Sequence, residues 1–174
     1  MRAEREADIR LVSPRYRVEN LIGHGSQKRV YRAYDTRLLR EVAIAIVAEG
    51  NSSPIDEASM SAALSGFPHV LSVYDVIENS FGTAIVQQLA AGGSLQSRLA
   101  LRGLSEGEVK RIAKEICTAL VAVHEFGFSH RDLKPANILF GDRDEVLVSD
   151  FGLIRSFSSL DIDTRQDFAG TPAY

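Results

Sequence analysis

The eight residues His130-Arg131-Asp132-Leu133-Lys134-Pro135-Ala136-Asn137, followed thirteen positions after Asn137 by Asp150-Phe151-Gly152, restrict this chain more than any other feature. Between the two polar motifs lie two short apolar runs, Ile138–Phe140 and Val146–Val148, each of a length that suits a brief strand. Any fold the chain adopts must therefore deliver Asp132, Lys134, Asn137 and Asp150 on loops joined by those strands. The residue types suit one kind of chemistry. A carboxylate can orient a hydroxyl and take its proton, while side-chain oxygens can hold a hard divalent cation.

The rest of the chain supplies a frame for these loops. Residues 16–22 and 29–34 read as strands joined by the turn Gly23-His24-Gly25-Ser26, and 41–47 as a third strand, apolar on both faces and expected to be buried. Ser53, with Pro54 at the first helical position and Asp56 and Glu57 in the first turn, predicts a helix that stops at Gly66. Residues 70–77 and 83–88 predict a hairpin around Asn79-Ser80-Phe81-Gly82. The run Ala90-Ala91-Gly92-Gly93 breaks the pattern and is expected to hinge two lobes. A short helix over 94–101 follows. Ser105 and Glu108 then form a capping box for a long helix whose stripe is Val109, Ile112, Ala113, Ile116, Leu120 and Val123, with Gly127 as its stop. Cys117 on that helix is expected to be buried, as free cysteines usually are.

These motifs resemble the catalytic loop and metal-binding turn of serine/threonine protein kinases of the bacterial type, in which His-Arg-Asp-Leu-x-x-x-Asn precedes Asp-Phe-Gly. The resemblance runs over nearly all of 16–174. It implies an α+β, two-lobed kinase-like fold: a flexible leader at 1–14, a five-stranded N-lobe with one helix over 15–89, and an incomplete, mainly helical C-lobe over 90–174 that ends in the activation segment. It further implies ATP and magnesium (Mg2+) held between the lobes, and a protein substrate presenting Ser or Thr. On the family's pattern Asp132 accepts or orients the substrate hydroxyl proton. Lys134 lies beside the transferred phosphate and favours Ser/Thr over Tyr substrates, Asn137 holds a second magnesium, and Asp150 holds the magnesium that bridges the phosphates. His130 would be a structural support, and Arg131 a partner for a phosphorylated residue of the activation segment. Leu139 would floor the adenine pocket, Val30 and Ala43 would roof it, Ile22 would wall it, and the backbone at Gln88 and Ala90 would hydrogen-bond the base. In the activation segment, 153–174, Ser156, Ser158, Ser159 and Thr164 are phosphorylation candidates, and Thr171 would bond near Asp132 and Lys134.

Two departures from the pattern stand out. The glycine loop should read Gly-x-Gly-x-x-Gly-x-Val, yet Gly23 and Gly25 are followed by Lys28 where the third glycine belongs. The third strand should read Val-Ala-Ile-Lys, yet it reads Val42-Ala43-Ile44-Ala45. The absent ammonium ordinarily pairs with the phosphates and a helix glutamate, here Glu57. At about 4 Å and an effective dielectric near 20, such a contact is worth roughly 4 kcal/mol, or on the order of a thousandfold in rate. The "with-no-lysine" kinases show the same exchange, with a loop lysine in place of the strand lysine. That resemblance assigns the phosphate-binding cation to Lys28. Arg29, one residue on, would face the other way.

Bulk properties set outer limits. A chain of 174 residues fits one ordinary domain, and its 45% hydrophobic content suffices for a core. A net charge of −3, from 20 basic and 23 acidic residues, argues against a nucleic-acid partner. One cysteine excludes an internal disulfide and fits a reducing cytoplasm. Residues 1–13 are charged and lack a signal-like apolar core, and no apolar run approaches the roughly 20 residues of a membrane span. The chain stops at Tyr174, before the family's Ala-Pro-Glu. The helix after Ser105 is therefore expected to expose an apolar face that invites association.

Overall fold

The computed structural model describes residues 12–24, 28–47, 59, 61–79, 82–151 and 155–156. Contacts divide them into two units, one made of the residues up to Ala62 with Ser72–Leu89, the other of Ala63–Leu71 with those from Ala90 onward.

The first unit is a five-stranded antiparallel sheet. Its strands are β1 (Tyr16–His24), β2 (Lys28–Asp35), β3 (Arg40–Val47), β4 (Val73–Asn79) and β5 (Gly82–Gln87), in spatial order β1-β2-β3-β5-β4. Strand β3 takes the middle because five of its residues in a row, Val42–Ile46, tolerate burial on either face, and all five are buried. Alternation then sorts the side chains. Val42, Ile44 and Ile46 pack with Tyr31, Ala33, Ala84 and Val86 on one face, while Ala45 packs with Ile85 and Val30 on the other.

The first face also takes in Val12 and Tyr16. Val12 is only 8% exposed, so the expected leader already contributes to the core at its end. Arg15 fixes this segment. Its Nε and Nη2 reach the two carboxylate oxygens of the fully buried Asp35 at 2.9 and 2.6 Å, a bidentate pair. The Tyr16 hydroxyl donates to Asp75 Oδ2 at 3.0 Å, and burial together with that bond pushes its pKa up to about 12.

Strand β4 starts three residues later than the expected position 70. Val70 and Leu71 are diverted to the second unit, where Val70 bridges Val148 in parallel and the Leu71 N–H donates to the Val148 carbonyl at 2.9 Å. The predicted start of the helix at Ser53, Pro54, Asp56 and Glu57 lies outside the described residues, whereas 61–63 are helical.

Among the described residues, the second unit holds two α-helices and short strand pairs. Helix α1 (Leu95–Leu101) is capped by Ser94. Helix α2 (Glu106–Glu125) carries the predicted capping box, with the Ser105 hydroxyl accepting from the Glu108 N–H and the Glu108 carboxylate accepting from the Ser105 N–H. Strands β7 (Ile138–Phe140) and β8 (Val146–Val148) form a hairpin over the expected residues, and β6 (Phe128–Ser129) pairs with β9 (Arg155–Ser156). The core joins Leu64, Val70, Ile112, Ala119, Val123, Ile138, Phe140, Val146, Val148 and Phe151.

The buried stripe of α2 is narrower than its sequence suggests. Of the expected stripe Ile112 and Val123 are buried and Ile116 and Leu120 half-buried, but Val109 is 49% exposed and Ala113 is exposed; Ala119 is buried beside them, and Cys117 and Val121 are exposed. Cys117 thus corrects the expectation of burial. It lies between the exposed positions 113 and 121, one helical turn from each, on the face away from β8. Among the described residues, no helix is long and apolar enough to cross a membrane.

Candidate active site

The polar residues of the second unit are organised from the backbone outward. After β6 the chain turns through Arg131, whose φ of 63° is an uncommon left-handed conformation for so long a side chain. The turn brings the Asp132 N–H back to the His130 ring. His130 is 3% exposed, and its Nε2 lies 3.0 Å from the Ser149 carbonyl. Its Nδ1 faces the Asp132 N–H at 3.3 Å. A carbonyl only accepts and an amide N–H only donates, so these partners set the tautomer as Nε2–H. Burial lowers the imidazole pKa, which keeps that neutral form. His130 also stacks against Phe151, with ring centroids 4.7 Å apart. It is a support, as expected, and it uses both nitrogens in being one.

Asp132, Lys134 and Asn137 converge. Lys134 Nζ lies 2.7 Å from Asp132 Oδ2, and Asn137 Nδ2 donates to the same oxygen at 3.1 Å and to the Asp132 carbonyl at 2.9 Å. Pro135–Asn137 form a single 3-10 turn, with proline at a position where no N–H is needed. That turn lifts Asn137 back toward Asp132. Asn137 is 4% exposed. Since both its acceptors are oxygens, its nitrogen must face Asp132, and its side-chain oxygen is directed away.

Asp150 follows β8 with φ 70°, a conformation that aspartate tolerates better than most residues. Its charge acts on His130. An amide oxygen and a carboxylate are hard, oxygen-only donors, which fits magnesium, an ion that keeps most of its waters and takes few protein ligands. Among the described residues no three His, Cys, Asp or Glu side chains converge as a metal cluster.

The segment before α1 shows why two glycines stand there. The Gly92 N–H donates to the Phe140 carbonyl and the Phe140 N–H to the Gly93 carbonyl, both at 2.9 Å. A Cβ on Gly92 would lie 2.7 Å from Phe140 Cβ, and Gly93 has φ 74°. Close backbone approach sets one glycine and handedness the other. Ala90 accepts from the Gly93 N–H at 3.3 Å, and half-buried Leu139 bridges Ser94.

In the first unit the expected nucleotide residues share one face of the sheet. Strand pairing sets Val30 opposite Ala45, Arg32 opposite Ala43 and Lys28 opposite Val47. Directly paired residues lie on the same face, so Lys28, Val30, Ala43 and Ala45 form one patch with Lys28 diagonal to Ala45. Arg29 pairs with Ile46 and belongs to the opposite face. Ile22 is the extra residue of a β-bulge between Leu21 and Gly23 and is 50% exposed. A Cβ at Gly23 would meet Val30 at an ordinary 3.5 Å, so the strand itself does not require glycine there. The Gln88 N–H is taken by the Ser72 carbonyl at 2.8 Å, which leaves only its carbonyl for a base. Gly25, Glu57, Thr164 and Thr171 lie outside the described residues.

Two features escaped the sequence reading. One is Ser149, which bonds to both His130 and Asn137. The other is the Arg98–Asp144–Arg111 cluster that ties α1 and α2 to the β7–β8 turn, with the Arg98 guanidinium 3.5 Å from the Phe140 ring centroid. Neither belongs to a local motif, because the partners are far apart in the chain.

Comparison with known proteins places these observations. Residues 16–174 match the protein kinase domain family. The chain is 33% identical to a Bifidobacterium longum protein named "Probable serine/threonine-protein kinase pknA2", over 94% of its own length and 23% of that protein's. It is likewise 33% identical to the serine/threonine-protein kinase PknL of Mycobacterium tuberculosis, over 94% of its own length and 43% of the relative's. The CBL-interacting serine/threonine-protein kinase 12 of Arabidopsis thaliana is 29% identical over 98% of this chain and 36% of its own length. The chain thus spans less than half the length of these relatives. With its five-stranded sheet, its capped helices and its converging Asp132, Lys134 and Asn137, the chain belongs to the protein kinase domain family.

Proposed function

We propose that the chain is the ATP-binding and catalytic part of a protein serine/threonine kinase, which transfers the γ-phosphate of magnesium-ATP to a protein hydroxyl. We also place it in the cytoplasm, where a lone exposed thiol stays reduced. The observation that carries the reading is Asp132, whose Oδ2 is shared by Lys134 and Asn137 at 2.7 and 3.1 Å. That carboxylate orients the substrate hydroxyl and takes its proton. Lys134 holds the carboxylate and sets an ammonium beside the transferred group. The Asn137 side-chain oxygen and the Asp150 carboxylate would hold magnesium, which would supply neutralisation of charge on the phosphate oxygens. Lys28 supplies the cation that Ala45 lacks. It stands on the same sheet face, one cross-strand diagonal away.

Ala45 favours a second reading, a regulatory module that holds nucleotide without transferring phosphate. Transfer of radiolabelled γ-phosphate with magnesium, run beside a nucleotide thermal-shift assay, separates the two. Transfer by the full chain that falls about a thousandfold in Lys28→Met supports the first. A thermal shift without transfer supports the second. Transfer that survives Lys28→Met removes the role given to Lys28. A chain that neither shifts nor transfers overturns both readings.

A further inference from the structure

Ser149 stands just before the Asp-Phe-Gly turn and is 9% exposed. It makes three bonds into the catalytic loop. Its N–H and its hydroxyl both donate to the Asn137 backbone carbonyl, at 2.9 and 3.1 Å, and its own carbonyl faces His130 Nε2 at 3.0 Å. The first and last of these use the backbone and would survive any side chain. The hydroxyl bond is the contribution of serine alone. It is buried, so its loss leaves a carbonyl with one donor in place of two and no easy replacement from water.

The carbonyl that receives both bonds belongs to Asn137, whose side chain meets Asp132. The 3-10 segment that ends at Asn137 is a single turn, with proline at its start and no side-chain cap. The Asn137 amide therefore has its orientation set from two directions, by Asp132 through the side chain and by Ser149 through the backbone. We infer that Ser149 is a positioning residue for magnesium: by donating twice to the Asn137 carbonyl, it fixes the direction of the Asn137 side-chain oxygen. This rests on the kinase reading above, in which that oxygen is a metal ligand. Ser149 itself touches neither metal nor substrate, so it is not catalytic.

The test measures the magnesium concentration at which a fixed concentration of an ATP analogue half-maximally raises the melting temperature of the full chain. Ser149→Ala should need about fivefold more magnesium, which corresponds to about 1 kcal/mol at 1.4 kcal/mol per tenfold. Ser149→Thr keeps the hydroxyl and should restore the original requirement. Melting without ligand separates position from general stability. A Ser149→Ala chain that melts lower but keeps the original magnesium requirement overturns the inference, as does a Ser149→Thr chain that fails to restore it. If the unaltered chain shows no magnesium-dependent response, the kinase reading falls and takes this role with it, an outcome distinct from an unresponsive variant.

Discussion

In the second unit His130, Asp132, Lys134, Asn137 and Ser149 are held by short bonds to one another, whereas in the first unit the placement of charge depends on how two strands are paired. His130 uses both ring nitrogens, Asp132 is shared by a lysine and an amide, and Asn137 is bonded through side chain and backbone. Substituting any of these residues removes a bond from a buried or half-buried partner. The β2–β3 ladder imposes no such constraint. It fixes only that Lys28, Val30, Ala43 and Ala45 share a face. A long side chain at either of two diagonal positions can then serve the same point in space. On the proposed reading, this difference accounts for a complete polar loop beside a lysine that stands on β2 in place of β3.

The sharpest way to break this comparison is to move the charge back. In a chain carrying Lys28→Met, adding Ala45→Lys should return phosphate transfer to within about tenfold of the starting protein, reversing most of a roughly thousandfold loss. No recovery would mean that a shared face is not enough, and that β2 and β3 are not interchangeable hosts. Ala45 is 3% exposed, so melting must be followed in parallel to separate a packing defect from a failed repair.

A smaller effect sharpens the other half. Gly92→Ala puts a methyl group 2.7 Å from Phe140 Cβ and 3.0 Å from its carbonyl oxygen, which requires the backbone to shift. The expected cost is about 1–3 kcal/mol of stability, seen as a lower urea midpoint with an unchanged slope. An unchanged midpoint would show that the 90–93 segment is free to move off β7.

The smallest effect is on pH dependence. Burial holds His130 below the ordinary imidazole range, so on acidification the unfolded chain takes up that proton first. The stability tied to this group is complete above about pH 6.5 and declines below it. Arg15 holds Asp35 below the usual carboxylate range, and Arg102 with Ser105 does the same for Glu108. Their stabilisation is present above about pH 4, the unfolded carboxylate value, and is lost as pH falls toward the depressed folded values. A melting-temperature profile should therefore fall in two stages. Asp35→Asn should shrink the acid stage and leave the upper one, and a flat profile from pH 7 to 5 would count against the buried neutral imidazole.

Much of this was legible in local sequence. The Ser105 and Glu108 box, the two strands around 143 and the uniformly apolar β3 each follow from neighbours a few residues apart, where propensity and capping act. The polar loop was legible because its letters carry the chemistry. What could not be read depends on distant partners. Val70 and Leu71 look like the start of β4 by their apolar character, yet they satisfy Val148, far along the chain. Val12 reads as part of a charged leader, yet it joins the core of the sheet beside the pair that Arg15 makes with buried Asp35. On α2 the periodicity named a stripe of six, but of these Val109 and Ala113 are exposed. Helical periodicity marks which residues could be covered, and tertiary contacts decide which ones are.

The orientation of the Asn137 side chain has a consequence for what can replace it. An aspartate there would keep an oxygen for a cation and add a negative charge to attract it, which looks like an improvement. It would also exchange the nitrogen that donates to Asp132 at 2.9 and 3.1 Å for a second anion. Two like charges would then face each other in a pocket where Asn137 is 4% exposed, and one of them would have to take up a proton or swing away. Asparagine at 137 therefore suits both ends on the proposed reading: its carboxamide offers hydrogens to the anion it must not repel and a lone pair to the cation it would ligate.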